Sequence, residues 1–187
     1  AVAASAVGAG ASAAVVPRGV GDMRIGRIAR HLVCSARRTR AIFTPAVLAQ
    51  IEAAIGAAEA LHDGEIRFAI ETALPLPLVW HDLSARMRAI ELFARLRIWD
   101  TQANNGVLIY VLRADRAVEI IADRGINQRV SSTEWELVCR EVETHYRAGR
   151  YEEGSRAAVA GVARLLALHF PAGRASGNEL PNQPILL

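Results

Sequence analysis

The sequence predicts an α/β domain, an α/β/α sandwich built on a small mixed sheet. Three observations carry that expectation. Residues 65–73 alternate, with Ile66, Phe68 and Ile70 on one side and Arg67, Ala69 and Glu71 on the other. Residues 107–112 form a continuous apolar run, the pattern of a strand covered on both faces. Stretches with apolar residues at helical spacing lie before, between and after these strands.

The elements follow in order. Thr44 is suited to cap a helix with Pro45 at its first position, and Leu48, Ile51, Ile55 and Ala58 continue at helical spacing. His62-Asp63-Gly64 ends that helix and leads into the alternating strand. Leu74-Pro75-Leu76-Pro77 breaks the strand. A helix over about 84–96 follows, with Met87, Ile90, Phe93 and Leu96 expected inward and Glu91 paired to Arg95 at i,i+4. The polar loop 99–106 then closes on Asn105-Gly106, a turn dipeptide. After the apolar strand, residues 113–116 turn the chain into an antiparallel strand over 117–122, ended by Asp123-Arg124-Gly125. Ser131 and Glu134 form a capping-box pattern ahead of Trp135, Val138, Cys139, Val142 and Tyr146. A last helix covers about 151–170, where Gly154, Ala158 and Gly161 make a strip for close backbone approach. The order is α-β-α-β-β-α-α. The helical crossover between the first two strands makes them parallel.

The chain of 187 residues suits one such domain with a hydrophobic core. Residues 44–170 are its expected extent. Residues 1–43 read as a low-complexity and then Arg-rich arm, poorly ordered, and residues 171–187 as an irregular tail. Residues 1–16 read as translated upstream sequence ahead of a start at Met23; the alternative is a truncated signal peptide, which would make the protein periplasmic. Without it the expected location is cytoplasmic or membrane-peripheral.

Charge is unevenly spread. Residues 1–40 hold seven Arg and one Asp, and residues 41–187 hold fifteen Arg against eighteen acids, for a net +3. The basic excess therefore belongs to the arm, and the domain itself is not expected to bind nucleic acid. Over residues 24–40, Arg interleaves with Ile25, Ile28, Leu32 and Val33, a pattern that allows weak contact with anionic lipid. The two cysteines, Cys34 and Cys139, have no metal-site spacing. The sequence contains no phosphate-binding loop or dinucleotide fingerprint, so no nucleotide cofactor is expected.

The stretch Ala103-Asn104-Asn105-Gly106-Val107-Leu108-Ile109-Tyr110 resembles the NNG signature of TPM domains. The resemblance continues through Ala114-Asp115-Arg116, Val118-Glu119-Ile120 and Asp123-Arg124-Gly125-Ile126. It extends to Tyr146-Arg147-Ala148-Gly149-Arg150-Tyr151-Glu152-Glu153-Gly154. It implies an α/β/α sandwich. It also implies a binding or adaptor domain in envelope or protein quality control, with an unidentified and membrane-associated protein as partner. Two further properties come with the family: calcium binding, and metal-dependent acid phosphatase activity on phosphomonoesters as the alternative function. The chain departs from the family where many members carry Leu-Thr-Asp; here Val130-Ser131-Ser132-Thr133 stands.

Topology places the loop before the second strand beside the end of the third and the start of the first. Asp100, Asn104, Asn105 and Asp123 are therefore the candidate metal ligands, with Asp63 or Glu65 nearby. Hard oxygens of this kind suit Ca²⁺, or Mg²⁺, rather than zinc. The competing expectation is structural: a turn at Asn105-Gly106, a cap of the loop backbone by Asp100, and an ion pair of Asp123 with Arg124 or Arg129. His81-Asp82 with Glu71 is a weaker acid–base candidate at the opposite end of the sheet. No catalytic residue is assigned.

Overall fold

The computed structural model describes residues 20–173 and 178–187. The expectations for residues 1–16 lie outside the described residues. The strands are β1 (Glu65–Glu71), β2 (Gly106–Leu112), β3 (Ala117–Ala122) and β4 (Ile185–Leu186), in the order β3-β2-β1-β4. β1 runs parallel to β2 and to β4, and β2 pairs antiparallel with β3, so the sheet is mixed as expected.

Helices cover both faces. α3 (Pro45–Glu59), α7 (Ser132–Arg147) and α8 (Tyr151–His169) bury one face together with Ile66, Phe68, Ile70, Val107 and Ile109. α4 (Leu76–Trp80) and α5 (Ala85–Arg95) cover the other, where Ala69, Leu108, Tyr110 and Leu112 lie. Every residue of β1 and β2 is buried. Side chains such as Ile66 and Phe68, with no exposed surface, each contribute roughly 1.5–3 kcal/mol relative to exposure.

The local signals hold where they are strong. Thr44 accepts from Val47 N at 3.3 Å with Pro45 following it. Ser131 and Glu134 close the capping box in both directions, at 3.3 and 2.9 Å. The small-residue strip of α8 meets α7: a Cβ on Gly161 would stand 2.8 Å from Val138, and one on Gly154 would stand 2.7 Å from the Tyr146 ring.

Other expectations are corrected. The Arg-rich part of the arm is not loose, because residues 20–42 form α1 (Val20–Val33) and α2 (Ala36–Ile42). The cause is a distant carboxylate: Asp115 takes Arg27 and His31 of α1, and His31 is buried. The tail also contributes structure. Ile185–Leu186 adds β4 to the edge of β1, and the main-chain N–H groups of Glu179 and Leu180 donate to Glu65. In α5 the inward face is Ala85, Arg88, Ala89 and Leu92, whereas Met87 and Ile90 are exposed. Arg88 is drawn in by Glu71 with two bonds of 2.9 Å, and its third nitrogen takes Glu91, which was expected to pair with Arg95. A short helix, α6 (Arg124–Asn127), starts where only a strand end was expected.

Candidate functional site

The candidate site is the corner at the N-terminal ends of β1 and β2 and the C-terminal end of β3. Three segments meet there: residues 62–64, the loop 99–105 and residues 123–125. The β2–β3 pairing sets Val107 opposite Ala122, which brings the loop against the start of α6. Glycine permits the approach. A Cβ on Gly125 would stand 2.5 Å from the Asn104 carbonyl oxygen and 2.7 Å from that of Ala103.

Asn105 is buried and holds the corner together. Its N–H donates to Thr101 Oγ1 at 3.1 Å, and its Nδ2 donates to the Asp63 carbonyl at 2.6 Å. Its carbonyl accepts from Glu65 N at 3.4 Å. Asn104 takes the left-handed backbone (φ 52°) that Asn tolerates, and its Oδ1 accepts from Arg124 Nε at 3.4 Å. Asp123 is buried; its Oδ1 accepts from Arg124 N at 2.7 Å as the cap of α6, and its own N–H donates to the Gly106 carbonyl. The structural roles differ from those expected: the left-handed residue is Asn104 and Gly106 already opens β2, while Asp123 caps α6 and, among the described residues, forms no ion pair.

Two acceptors are left over. Among the described residues, neither Asn105 Oδ1 nor Asp123 Oδ2, both buried, has a hydrogen-bond partner. A buried oxygen without a donor costs about 1–3 kcal/mol, so each has an unmet demand for positive charge. His62 adds a third unpartnered atom, Nε2, while its Nδ1 accepts from Gly64 N at 3.2 Å. Burial pushes the His62 imidazole below its ordinary pKa, which keeps it neutral.

Of the four candidate ligands, Asn104 and Asn105 lie in the loop before β2 and Asp123 at the start of α6, where the Asn104 amide meets the Arg124 side chain. Asp100 is exposed, and no side-chain hydrogen bond ties it to the others. Glu65 turns its carboxylate to the tail, and burial raises its pKa against the donations from Glu179 and Leu180. Among the described residues, no group of three or more His, Cys, Asp or Glu is placed to hold a metal ion. Asp123 is buried at this corner, as is Glu65, whose carboxylate the tail takes up.

The acid–base candidates at the other end are occupied. Glu71 is bound by Arg88 and accepts from Tyr110 Oη at 2.7 Å. Burial, with Glu71 alongside, pushes the Tyr110 hydroxyl far above its ordinary pKa. Asp82 pairs with Arg27 at 3.2 Å, and His81 is exposed. Sequence reasoning missed His62 as a site neighbour, because its place after a helix reads only as a terminator.

Comparisons with known proteins agree with this architecture. The family model described as the TPM domain matches residues 37–165. The chain is similar to the BA42 protein from the psychrophilic bacterium Bizionia argentinensis, solved by NMR. The two are 29% identical with a TM-score of 0.68, over 76% of this chain and 94% of that one. It also shares its fold with the N-terminal domain of a P. gingivalis protein, at 17% identity and a TM-score of 0.51, over 65% of this chain and 76% of that one. No curated protein matches the chain by sequence.

Proposed function

The chain belongs to the TPM domain family, and from that premise we propose that it is a non-enzymatic binding or adaptor domain of envelope or protein quality control whose Asn105–Asp123 corner takes one hard divalent cation, Ca²⁺ before Mg²⁺. The observation that carries the cation is the pair of buried oxygens, Asn105 Oδ1 and Asp123 Oδ2, with no donor of their own. These residues fit such an ion. Ca²⁺ accepts mixed carboxylate, amide, main-chain and water oxygens and tolerates irregular geometry, whereas Mg²⁺ demands a regular octahedron. One carboxylate implies weak binding. The bound ion would supply the missing positive charge and brace the three loops against one another.

The adaptor reading draws support from the hydroxyls. Thr101 Oγ1 accepts from Asn105 N, Ser84 and Ser131 cap helices, and Ser155 bonds to Tyr146 and Tyr151. Each is committed to structure rather than poised beside a base.

A thermal-shift titration with Ca²⁺, Mg²⁺, Mn²⁺ and Zn²⁺ tests this on the wild type, Asp123→Ala and Asp100→Ala. A ligand of the folded state raises Tm by mass action. The expected result is a rise with Ca²⁺ that Asp100→Ala keeps and Asp123→Ala loses. No shift with any cation contradicts the cation reading. Phosphomonoester turnover that disappears in Asp123→Ala would contradict the non-enzymatic one and favour a phosphatase.

A further inference from the structure

α1 is amphipathic in the reverse of the usual sense. Its inward face carries Arg27 and His31, whose side chains are 14% and 0% exposed. Its outward face carries Ile25, Leu32 and Val33, which are 68%, 62% and 80% exposed. Ala29 lies between them on the same side, one turn from each. A helix that turns apolar side chains outward beside exposed Arg24 and Arg30 has the pattern of an interfacial helix.

The charge along it is mainly basic, Asp22 being the single acid of α1. Residues 24–44 contain six Arg and no acid. The carboxylates that reach α1, Asp82 and Asp115, do so from the inner side through Arg27, Arg30 and His31. Behind the apolar face lies a groove of about 390 Å³ lined by Arg30, Arg38, Arg113 and Arg116, with Ala29 and Val33 at its wall. It adjoins a second cavity of about 550 Å³ that shares Arg38, Arg113 and Arg116. Among the described residues, neither Arg38 nor Arg116 makes an ion pair or side-chain hydrogen bond. Arg113 keeps one nitrogen on Thr39 Oγ1 at 2.9 Å. The trough sits at the C-terminal ends of β1 and β2, the end where open parallel sheets hold ligands.

We propose that this end of the molecule docks on a bilayer of anionic phospholipid, with the outward face of α1 in the interface and the arginine trough around a lipid phosphate. Arginine suits that role because its fork meets phosphate oxygens in pairs. This docking is independent of the cation corner, which lies at the other end of the strands.

The test is vesicle flotation of the full chain. Pure phosphatidylcholine is compared with phosphatidylcholine and phosphatidylglycerol in equal parts, at low and high salt. The expected result is salt-sensitive flotation with the anionic vesicles only. Arg38→Ala/Arg116→Ala lowers that affinity about thirtyfold, at roughly 1 kcal/mol per arginine. Ile25→Ser/Val33→Ser weakens it while leaving its salt dependence intact. Circular dichroism checks that each variant is folded. Equal flotation with both vesicles, or an arginine variant that binds like wild type, overturns the proposal. So does a thermal stabilisation by inorganic phosphate without flotation, which would make the trough a soluble-anion site. Self-association abolished by Ile25→Ser/Val33→Ser, without flotation, would assign the face to a second copy.

Discussion

Arg27 grips Asp115 across 88 residues of sequence, with Nη2 2.8 Å and Nε 3.1 Å from the same carboxylate oxygen. His31 adds a third contact, Nε2 to Oδ1 at 3.0 Å, and its Nδ1 accepts from Leu74 N at 2.9 Å. Since the Leu74 N–H can only donate, the proton of neutral His31 sits on Nε2 and points at Asp115. Burial alone would raise the Asp115 carboxyl; the hydrogen bonds from Arg27 and His31 and the charge of Arg27 outweigh it and hold it below its ordinary pKa.

Asp115→Ala should therefore release α1. It leaves Arg27 and His31 desolvated without their partner, a loss of about 3 kcal/mol for a buried pair broken on one side. Denaturant midpoints measure the cost, and hydrogen exchange localises it. Exchange should accelerate in residues 20–33 and leave β2 protected. Unchanged protection of α1 would mean that another contact holds it.

The second ionic cluster predicts an ordering. Arg88→Met strips Glu71 of a bidentate partner inside the fold, whereas Tyr110→Phe removes one neutral donor from the same carboxylate. The first should cost about 3–5 kcal/mol and the second about 1 kcal/mol. Urea unfolding of the two variants reads the difference directly. Equal losses would contradict this ordering and give the tyrosine the same weight as the arginine.

Glu59 sets a pH dependence. Burial raises its carboxyl to about 7, with the charge of Glu65 adding to the shift; hydrogen bonds from Ile66 and Asn182 and the charge of Arg67 oppose it. The folded chain thus holds a proton that the unfolded chain releases above about 4.5. Stability from this group falls as pH rises from about 4.5 to about 7 and then levels. Glu59→Gln removes that slope. It should stabilise the protein at pH 8 by on the order of 1 kcal/mol, after allowance for partial solvent screening. Thermal melts of both proteins across that range check it, and parallel curves would contradict it.

What the sequence revealed was local. The alternation read over 65–73, which forms a strand as far as Glu71, the apolar run of β2, the Ser131–Glu134 box and the glycine strip of α8 are each complete within a few residues. What it concealed depends on partners far along the chain. The arm reads as loose because Asp115, which orders it, lies 84 residues from His31. Met87 and Ile90 fit an inward stripe by spacing, but Glu71 draws Arg88 to the sheet and rotates the stripe outward. At the candidate site, the strand order was enough to place the loop 99–105 beside the start of α6. Asp100 could not be separated from Asn104, Asn105 and Asp123 in advance, because its exposure depends on how the loop after α5 turns.

The cation corner is tested most directly by amide NMR during a Ca²⁺ titration of the ¹⁵N-labelled protein. Saturable shifts are expected, confined to residues 62–65, 101–106 and 123–126, and absent in Asp123→Asn. Resonances that stay fixed, or that move equally in Asp123→Asn, would contradict it and leave the two orphaned oxygens as features of the fold alone.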